Sequence, residues 1–264
     1  MPPARKRPRS YDPARTRAAV LAQFGHVRDA LLTLDEERLA APTRLGDWTV
    51  RDLAAHLAMV LGSVPRALAL PEPPKAGLAL LDWPFATAAV SGSIDEDTRA
   101  LAAGATTAEL LARAEEDCRA VLDAAGDERV VPVRVGAMRL GDFLVTRAVE
   151  LVVHTDDLND AVPGLGVPYD RQALAACTRL LADALAVRAP GGSVEVRVPP
   201  HAVVQCVAGP RHTRGTPPNV VETDPLTWIR LATGRTTWAH EKDAARISAS
   251  GERADLSELL PLMG

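Results

Sequence analysis

The sequence has few cysteines, no long apolar run and little net charge, and each of these shortages excludes a class of protein. Its three cysteines, Cys118, Cys177 and Cys206, are an odd number at wide spacing, which fits neither a disulfide framework nor a CxxC metal site. No apolar run reaches the roughly 18 residues that a membrane-spanning helix requires. A net charge of -4 creates no basic field for phosphate backbones or anionic lipids. We therefore expect a soluble protein in the reducing cytoplasm, with neither nucleic acid nor membrane as a partner.

A secretory signal is also missing from the sequence. The basic residues Arg5, Lys6, Arg7 and Arg9 are followed by Ser-Tyr-Asp-Pro, where a signal peptide would continue with an apolar segment. We expect this basic segment to be a frayed tail or a weak docking segment.

What the sequence does contain is typical of a two-domain globular protein. Hydrophobic residues make up 47% of the chain and charged residues 24%, which is enough apolar material for a buried core. A length of 264 residues predicts about two domains of roughly 150 residues each.

The first 165 residues show helical periodicity. Helix starts are predicted at Asp12-Pro13, at the capping box Thr49–Asp52 and at a second capping box, Thr106–Glu109, with the third helix ending near Ala125. A fourth and most apolar helix is predicted over about 142–159. Between the third and fourth, residues 130–135 favour a short edge hairpin, because Pro132 interrupts the strand pattern. The stretch from Pro71 to Gly104 is less regular.

The period changes in the last hundred residues. A helix capped by Asp170 is followed by the alternation Val194, Val196, Val198, which indicates a strand. Further strands are predicted at 202–207, at 219–223 and near Ile247, with a helix over 225–234 and a last helix from about Ala254. The predicted fold class is α+β multidomain, with a four-helix bundle over residues 1–165 and a small α+β domain over residues 166–264.

Three side chains could hold a metal ion between two helices of the bundle. Glu150 and His154 are four residues apart and lie on one helix face. His56 occupies the apolar sector of the second helix and should face them. Two imidazoles and one carboxylate suit a borderline cation such as zinc and leave a coordination position open, although nickel, iron and manganese accept the same ligands.

Simpler interpretations exist for the same residues. A single histidine on an apolar face is often a hydrogen-bonded core residue. Glu150 could form an ion pair with Arg147 at i, i+3, although a buried carboxylate is costly without a compensating cation.

Two segments resemble the signatures of a known family. Gly46-Asp-Trp-Thr-Val-Arg-Asp-Leu-Ala-Ala-His-Leu57 and Arg147-Ala-Val-Glu-Leu-Val-Val-His-Thr-Asp-Asp-Leu158 are similar to those of the mycothiol-dependent maleylpyruvate isomerase family. Gly136-Ala-Met138 and Leu259-Leu-Pro-Leu262 extend the resemblance over nearly the whole chain. The resemblance implies a DinB-like four-helix bundle followed by a domain similar to sterol carrier protein 2.

The resemblance also implies site residues. The family's metal, usually described as zinc, would be held by His56, Glu150 and His154. Asp157 matches a recurrent family aspartate, which could support His154 or simply be a solvated carboxylate. A catalytic arginine from the C-terminal domain matches Arg235 best, with Arg230 as a near competitor. Arg235 would hold the substrate's carboxylates or the developing enolate.

The implied chemistry uses mycothiol as the thiol cosubstrate. A metal-bound thiol ionises near neutral pH, and in the isomerase the thiolate adds to a conjugated double bond, the bond rotates and elimination releases the trans product. The family also suggests thiol transfer to a small electrophile, and the sequence does not identify the substrate. Two alternatives are a metal-dependent hydrolase using bound water and a non-catalytic module that binds a lipid or small molecule.

Two further expectations follow from the resemblance. Lysine occurs only at Lys6, Lys75 and Lys242, a bias that suits a GC-rich genome and agrees with an actinobacterial source. The family leans toward a monomer.

Overall fold

The computed structural model describes residues 9–209 and 218–263. Of the basic tail expected over Met1 to Arg9, residues 1–8 lie outside them, whereas Arg9 is described and forms an ion pair with Asp183 at 2.8 Å. The helices are α1 Pro13–Leu31, α2 Glu36–Leu39, α3 Val50–Ala69, α4 Trp83–Ala86, α5 Ser91–Gly104, α6 Thr107–Leu122, α7 Leu140–Ala161, α8 Arg171–Arg188, α9 Pro225–Ala232 and α10 Trp238–Asp243. The strands are β1 Val130–Val133, β2 Gly136–Arg139, β3 Val194–Val198, β4 Ala202–Cys206, β5 Val220–Thr223 and β6 Ile247–Ser250.

The long helices α1, α3, α6 and α7 form the bundle. α3 packs against α6 and α7, and α1 packs against α7 and α6, so the four helices enclose one apolar core. Its centre holds fully buried side chains from all four helices, among them Phe24, Leu57, Leu111 and Leu144. The predicted helical bundle is confirmed.

Local capping explains where these helices begin. The Asp12 carboxylate accepts a hydrogen bond from the Arg15 N–H at the start of α1. The capping boxes at Thr49 and Thr106 are both formed, with the side chains of Asp52 and Glu109 returning to the cap backbone. Each cap satisfies N–H groups that the first turn of a helix leaves without partners.

One side of the bundle is covered by shorter elements. α5 packs on α3, and the antiparallel hairpin of β1 and β2 contacts both α3 and α7. Between them lie α4 and a 3-10 turn over Thr87–Val90, with Trp83 buried. These elements form the outer wall of a cavity that reaches the centre of the bundle.

The C-terminal part is a four-stranded sheet with helices. Its strand order is β4-β3-β5-β6, with β3 and β5 parallel and the other pairs antiparallel. α8 packs against β4 and α9, and also against α1 and α7 of the bundle. Because α8 contacts both parts, one apolar core runs from the bundle into the sheet.

One prediction about the C-terminal part was wrong, and one short helix was missed. The helix expected from about Ala254 is only a 3-10 turn, Ser257–Leu259, because the next residues turn back to α9. There, the N–H groups of Leu262 and Met263 both donate to the carbonyl of Ala232, at 2.8 and 3.0 Å. α10 was not predicted, since six residues are too few to show an apolar period.

Two further findings concern the stretch between α3 and α6 and the length of the helices. The stretch between α3 and α6, expected to be less regular, contains α4 and the fourteen-residue α5. Of the helices in the described ranges, none is long and apolar enough to cross a membrane.

Candidate metal centre

The structure brings His56, Glu150 and His154 together between α3 and α7. Each offers one ligand atom, and these atoms lie within 4.8 Å of one another. The Glu150 Oε2 atom is 3.3 Å from His154 Nε2 and 3.6 Å from His56 Nε2. The two imidazole rings meet edge to face, with centroids 4.6 Å apart. Three ligand atoms that converge in this way, from two packed helices, are what a divalent cation requires.

The hydrogen bonding of His56 differs from that of a histidine that only packs in the core. Its Nδ1 atom is buried and has no hydrogen-bond partner among the described residues, and its Nε2 atom lies 3.6 Å from Glu150 Oε2. Buried polar atoms are nearly always paired, so an unpaired one suggests a function outside core packing. The ring of Trp48 packs against His56, with the two ring centroids 5.1 Å apart.

Glu150 does not form the ion pair with Arg147 that its spacing suggested. Within the described part of the chain, the ion pairs of Glu150 are those with the two histidines. Arg147 donates only from Nε to Thr146 Oγ1, at 3.1 Å. Among the described residues, the ion pairs of this carboxylate are therefore with the two imidazoles alone.

His154 is oriented from behind by Asp157. The His154 Nδ1 atom lies 2.8 Å from Asp157 Oδ2, and the Asp157 side chain is fully buried. A carboxylate at Nδ1 favours the tautomer with its proton there, which leaves the lone pair of Nε2 directed to the metal position. Carboxylate, histidine and metal arranged in this order are common in metalloproteins.

The pKa shifts reflect burial and close pairing. Burial lowers the pKa of His56. Burial also opposes charge on Glu150 and His154. The hydrogen bonds of Glu150 with His154 and His56 outweigh that effect on its pKa, and the hydrogen bonds of His154 with Asp157 and then Glu150 outweigh it on the pKa of the imidazole. The pKa of Glu150 is well below its usual value and that of His154 is raised. Burial raises the pKa of Asp157, but the His154 hydrogen bond and Arg235 outweigh it, so the pKa is well below its usual range.

Arg235 reaches this centre only through Asp157. Its Nη2 atom is 3.0 Å from Asp157 Oδ2, and its Nε atom is 3.2 Å from Oδ1. Arg44, from the loop before α3, holds the same carboxylate with Nε at 2.6 Å from Oδ1. The arginine expected to contact substrate thus lies behind a candidate ligand.

A second ion pair joins the two parts of the protein beside it. Arg230 of α9 donates to both oxygens of Asp156, and Arg44 Nη2 donates to Asp156 Oδ2 at 2.5 Å. Tyr169 adds a hydrogen bond to the same carboxylate. Sequence reasoning missed Arg44 and Asp156; the one available signal was a pair of adjacent aspartates in the most apolar helix.

An apolar cavity of about 400 Å³ adjoins the candidate centre. His56 and Glu150 form part of its wall, so one side of the centre faces open space. Trp83 and Phe143 contribute aromatic surface, and Arg147 also lines it. The described lining residues include neither Asp157 nor Arg235.

The protein's own thiols are remote from solvent. All three cysteines are free and buried. Burial raises the pKa of Cys118 and of Cys206 to about 11, and it raises that of Cys177 further. A thiol with a raised pKa is a poor nucleophile near neutral pH, so the contribution of these buried cysteines is to core packing.

Comparisons with known proteins agree with this architecture. A family model described as the bacterial SCP ortholog matches residues 170–262. Two crystal structures of a mycothiol-dependent maleylpyruvate isomerase, one of them a histidine-to-alanine variant, share the fold with TM-scores of 0.60 and 0.61. Each is 14% identical, and each alignment covers 93% of this chain and 95% of the other. No curated protein sequence matches significantly.

The bundle itself is matched by a second family model. The model of the mycothiol maleylpyruvate isomerase N-terminal domain matches residues 6–159, which is more than half of the chain and includes all three candidate ligands. The protein therefore belongs to the mycothiol-dependent maleylpyruvate isomerase family.

Proposed function

We propose that this protein is a cytoplasmic enzyme that activates mycothiol on one divalent metal ion, for cis–trans isomerisation or for thiol transfer to a small electrophile. The metal would be held by His56, Glu150 and His154. Zinc suits two imidazoles and one carboxylate best, and nickel, iron or manganese would also be accepted.

One observation carries the proposal. Three ligand atoms within 4.8 Å of one another lie at the wall of a cavity to which two of the ligands, His56 and Glu150, contribute. A purely structural metal would be enclosed by four protein ligands, whereas three ligands beside a cavity leave room for a thiol and a second substrate.

The metal would supply one piece of chemistry, a lowered pKa for a bound thiol, so that the nucleophile is present as thiolate near neutral pH. The other requirements fall to the chain. The apolar walls, including Trp83 and Phe143, exclude water from the reacting groups. Asp157, 2.8 Å from His154 Nδ1, would keep the proton of that imidazole on Nδ1. No protein thiol is needed, which fits the burial of all three cysteines.

Arg235 would act as a positioning residue in this scheme. Its ion pair with Asp157 connects the C-terminal domain to the back of His154. The domain would thereby fix the orientation of a metal ligand while leaving the cavity free. The original expectation, direct contact between Arg235 and substrate, would require the Arg235–Asp157 pair to open.

The test combines metal content, thiol binding and turnover. We would measure bound metal by elemental analysis in the zinc-reconstituted protein and in His56→Ala and Glu150→Ala. His26→Ala, which removes a histidine on α1 outside the centre, is the matched control. Mycothiol binding would be followed by calorimetry, and turnover with maleylpyruvate and with a thiol-reactive electrophile such as monobromobimane.

We expect about one metal ion per chain in the wild type and in His26→Ala, and far less in the other two variants. Thiol binding and turnover should depend on that metal. A well-folded wild-type protein that takes up no zinc would contradict the proposal, and so would turnover that proceeds equally well without thiol, which would indicate a hydrolase.

A further inference from the structure

We propose that Arg147 binds the carboxylate of the second substrate, and that this substrate is an acid with a single carboxylate and an apolar body that fills the cavity. The inference rests on the proposed function, since it names the class of electrophile that meets the thiol. It assigns the substrate anion to an arginine of the bundle, in place of one from the C-terminal domain.

The first argument is the incomplete pairing of Arg147. Its guanidinium carbon lies 4.6 Å from the centre of the Phe143 ring, and its one hydrogen bond goes from Nε to Thr146. No carboxylate in the described ranges pairs with it. Two nitrogens of this half-buried guanidinium therefore lack an acceptor among the described residues, although arginines beside a cavity normally bind a carboxylate or phosphate.

The second argument is the balance of charge around the cavity. Glu150 is the only acidic residue among the described lining residues, and in the proposed centre it is a metal ligand. Arg66 also lines the cavity, and within the described ranges its one hydrogen bond goes to the carbonyl of Met59, at 3.2 Å. Arg134 lines it too, but its charge is matched by an ion pair with Asp97. A cavity with two unmatched cations beside a metal centre favours an anionic ligand.

The third argument is the apolar character of the remaining walls. Trp83, Val60, Ile94 and Phe143 all face the cavity, whose volume is about 400 Å³. That space accommodates a small ring with a short side chain. A compact dicarboxylate would leave these apolar walls unfilled.

The position of Arg147 also suits the reaction. Arg147 and Glu150 are three residues apart on α7, so their side chains are neighbours on one face of the helix. A carboxylate held by Arg147 would place the carbons next to it near the metal centre, where the thiol would be. Arg147 would thus orient the electrophile.

The test is a calorimetric titration of the zinc-reconstituted protein with three probes. trans-Cinnamate has the expected carboxylate and apolar body, cinnamyl alcohol has the same body without charge, and maleate is a compact dianion. Each would be titrated into the wild type, Arg147→Gln and Arg147→Lys. Arg119→Gln, which removes an exposed arginine of α6 away from the cavity, is the control. Metal content, thiol binding and melting temperature would be measured on every sample.

We expect the wild type and Arg119→Gln to bind cinnamate more tightly than the other two probes. Arg147→Gln should lose tenfold or more of the cinnamate affinity, because a charge-assisted bidentate contact disappears. Arg147→Lys should retain part of the cinnamate affinity, since the positive charge remains but the planar group that makes two parallel hydrogen bonds does not. Affinity for cinnamyl alcohol should be the same in all variants. Removal of an unpaired charge should leave the melting temperature of Arg147→Gln equal or higher.

Several outcomes would overturn the inference. If Arg147→Gln binds cinnamate as tightly as the wild type does, another group, such as the metal, holds the carboxylate. The same conclusion would follow if removal of zinc by a chelator abolished cinnamate binding to a protein that still has Arg147. Tighter binding of maleate than of cinnamate would refute the proposal that the substrate has an apolar body. If Arg147→Gln fails to fold, two measurements still test the role of Arg147: cinnamate binding by Arg147→Lys, and the difference in wild-type affinity between cinnamate and cinnamyl alcohol. Cinnamate binding that depends on Arg147 in a protein that binds no mycothiol would refute the proposed function and leave this inference standing.

Discussion

Arg235 of the C-terminal part and Asp157 of the bundle form an ion pair of 3.0 Å, between Nη2 and Oδ2, directly behind a candidate metal ligand. The same Asp157 oxygen is 2.8 Å from Nδ1 of His154. A line of contacts therefore runs from the small domain through one carboxylate to the imidazole. Because α8 also packs against α1 and α7, the two parts of the chain are expected to behave as one unit at this site.

Asp157→Asn is expected to lower zinc affinity about 10- to 100-fold, as loss of the carboxylate behind a ligating histidine usually does. The neutral amide can donate to Nδ1 as well as accept from it, so it selects the His154 tautomer less strictly, and it does not stabilise positive charge on the ring. Competition with a chromophoric chelator would measure the affinity. Asp160→Asn, an exposed position on the same helix, should leave it unchanged, and an unchanged affinity in Asp157→Asn would show that His154 is oriented in another way.

Arg235→Gln separates a positioning role from direct contact with substrate. If Arg235 acts through Asp157, zinc affinity should fall by a few-fold, less than in Asp157→Asn, because Arg44 still holds the same carboxylate. KM for the electrophile should change little. A large fall in kcat with unaltered zinc affinity would instead mean that Arg235 leaves Asp157 and contacts the reacting molecule. Arg230→Gln, which disturbs only the Asp156 pair, is the control.

Most of the bundle could be predicted from the sequence, because its signals are local. Capping boxes at Thr49 and Thr106 mark helix starts that the structure confirms. The apolar sector of the helix predicted to start at Thr49, which is α3 in the structure, correctly indicated that His56 is buried. Hairpin, bundle and sheet are confirmed for the same reason, since each depends on a period or a turn that lies within a few residues.

What the sequence could not predict depends on contacts between distant segments. Arg44 meets Asp156 and Asp157 across more than a hundred residues, and no pattern links a loop arginine to a helix carboxylate. The end of the chain turns to Ala232 for hydrogen bonds, so the expected last helix does not form. The lack of an ion pair between Arg147 and Glu150 likewise depends on the cavity, which only the packing of several elements creates.

Metal removal is expected to destabilise the protein strongly. A ligand that binds only the folded state at 1,000 times its Kd stabilises by about 4 kcal/mol. For a chain of this size that corresponds to a fall in Tm on the order of 10 °C. Differential scanning calorimetry with and without a strong chelator would measure it. His56→Ala should show little response to the chelator, and a wild-type Tm that also fails to respond would mean that the centre binds no metal.

Thr49→Ala should lower the free energy of unfolding by about 1 kcal/mol, because the hydroxyl caps α3 by accepting a hydrogen bond from the Asp52 N–H. Thr106→Ala removes the equivalent cap of α6 and should cost a similar amount. Urea unfolding monitored by circular dichroism would measure both. The comparison also bears on the site, since α3 carries His56 two helical turns from its cap. If the cap only stabilises the helix, both variants should retain one zinc per chain. Loss of zinc in Thr49→Ala alone would show that the start of α3 must be fixed for His56 to reach its position beside Glu150.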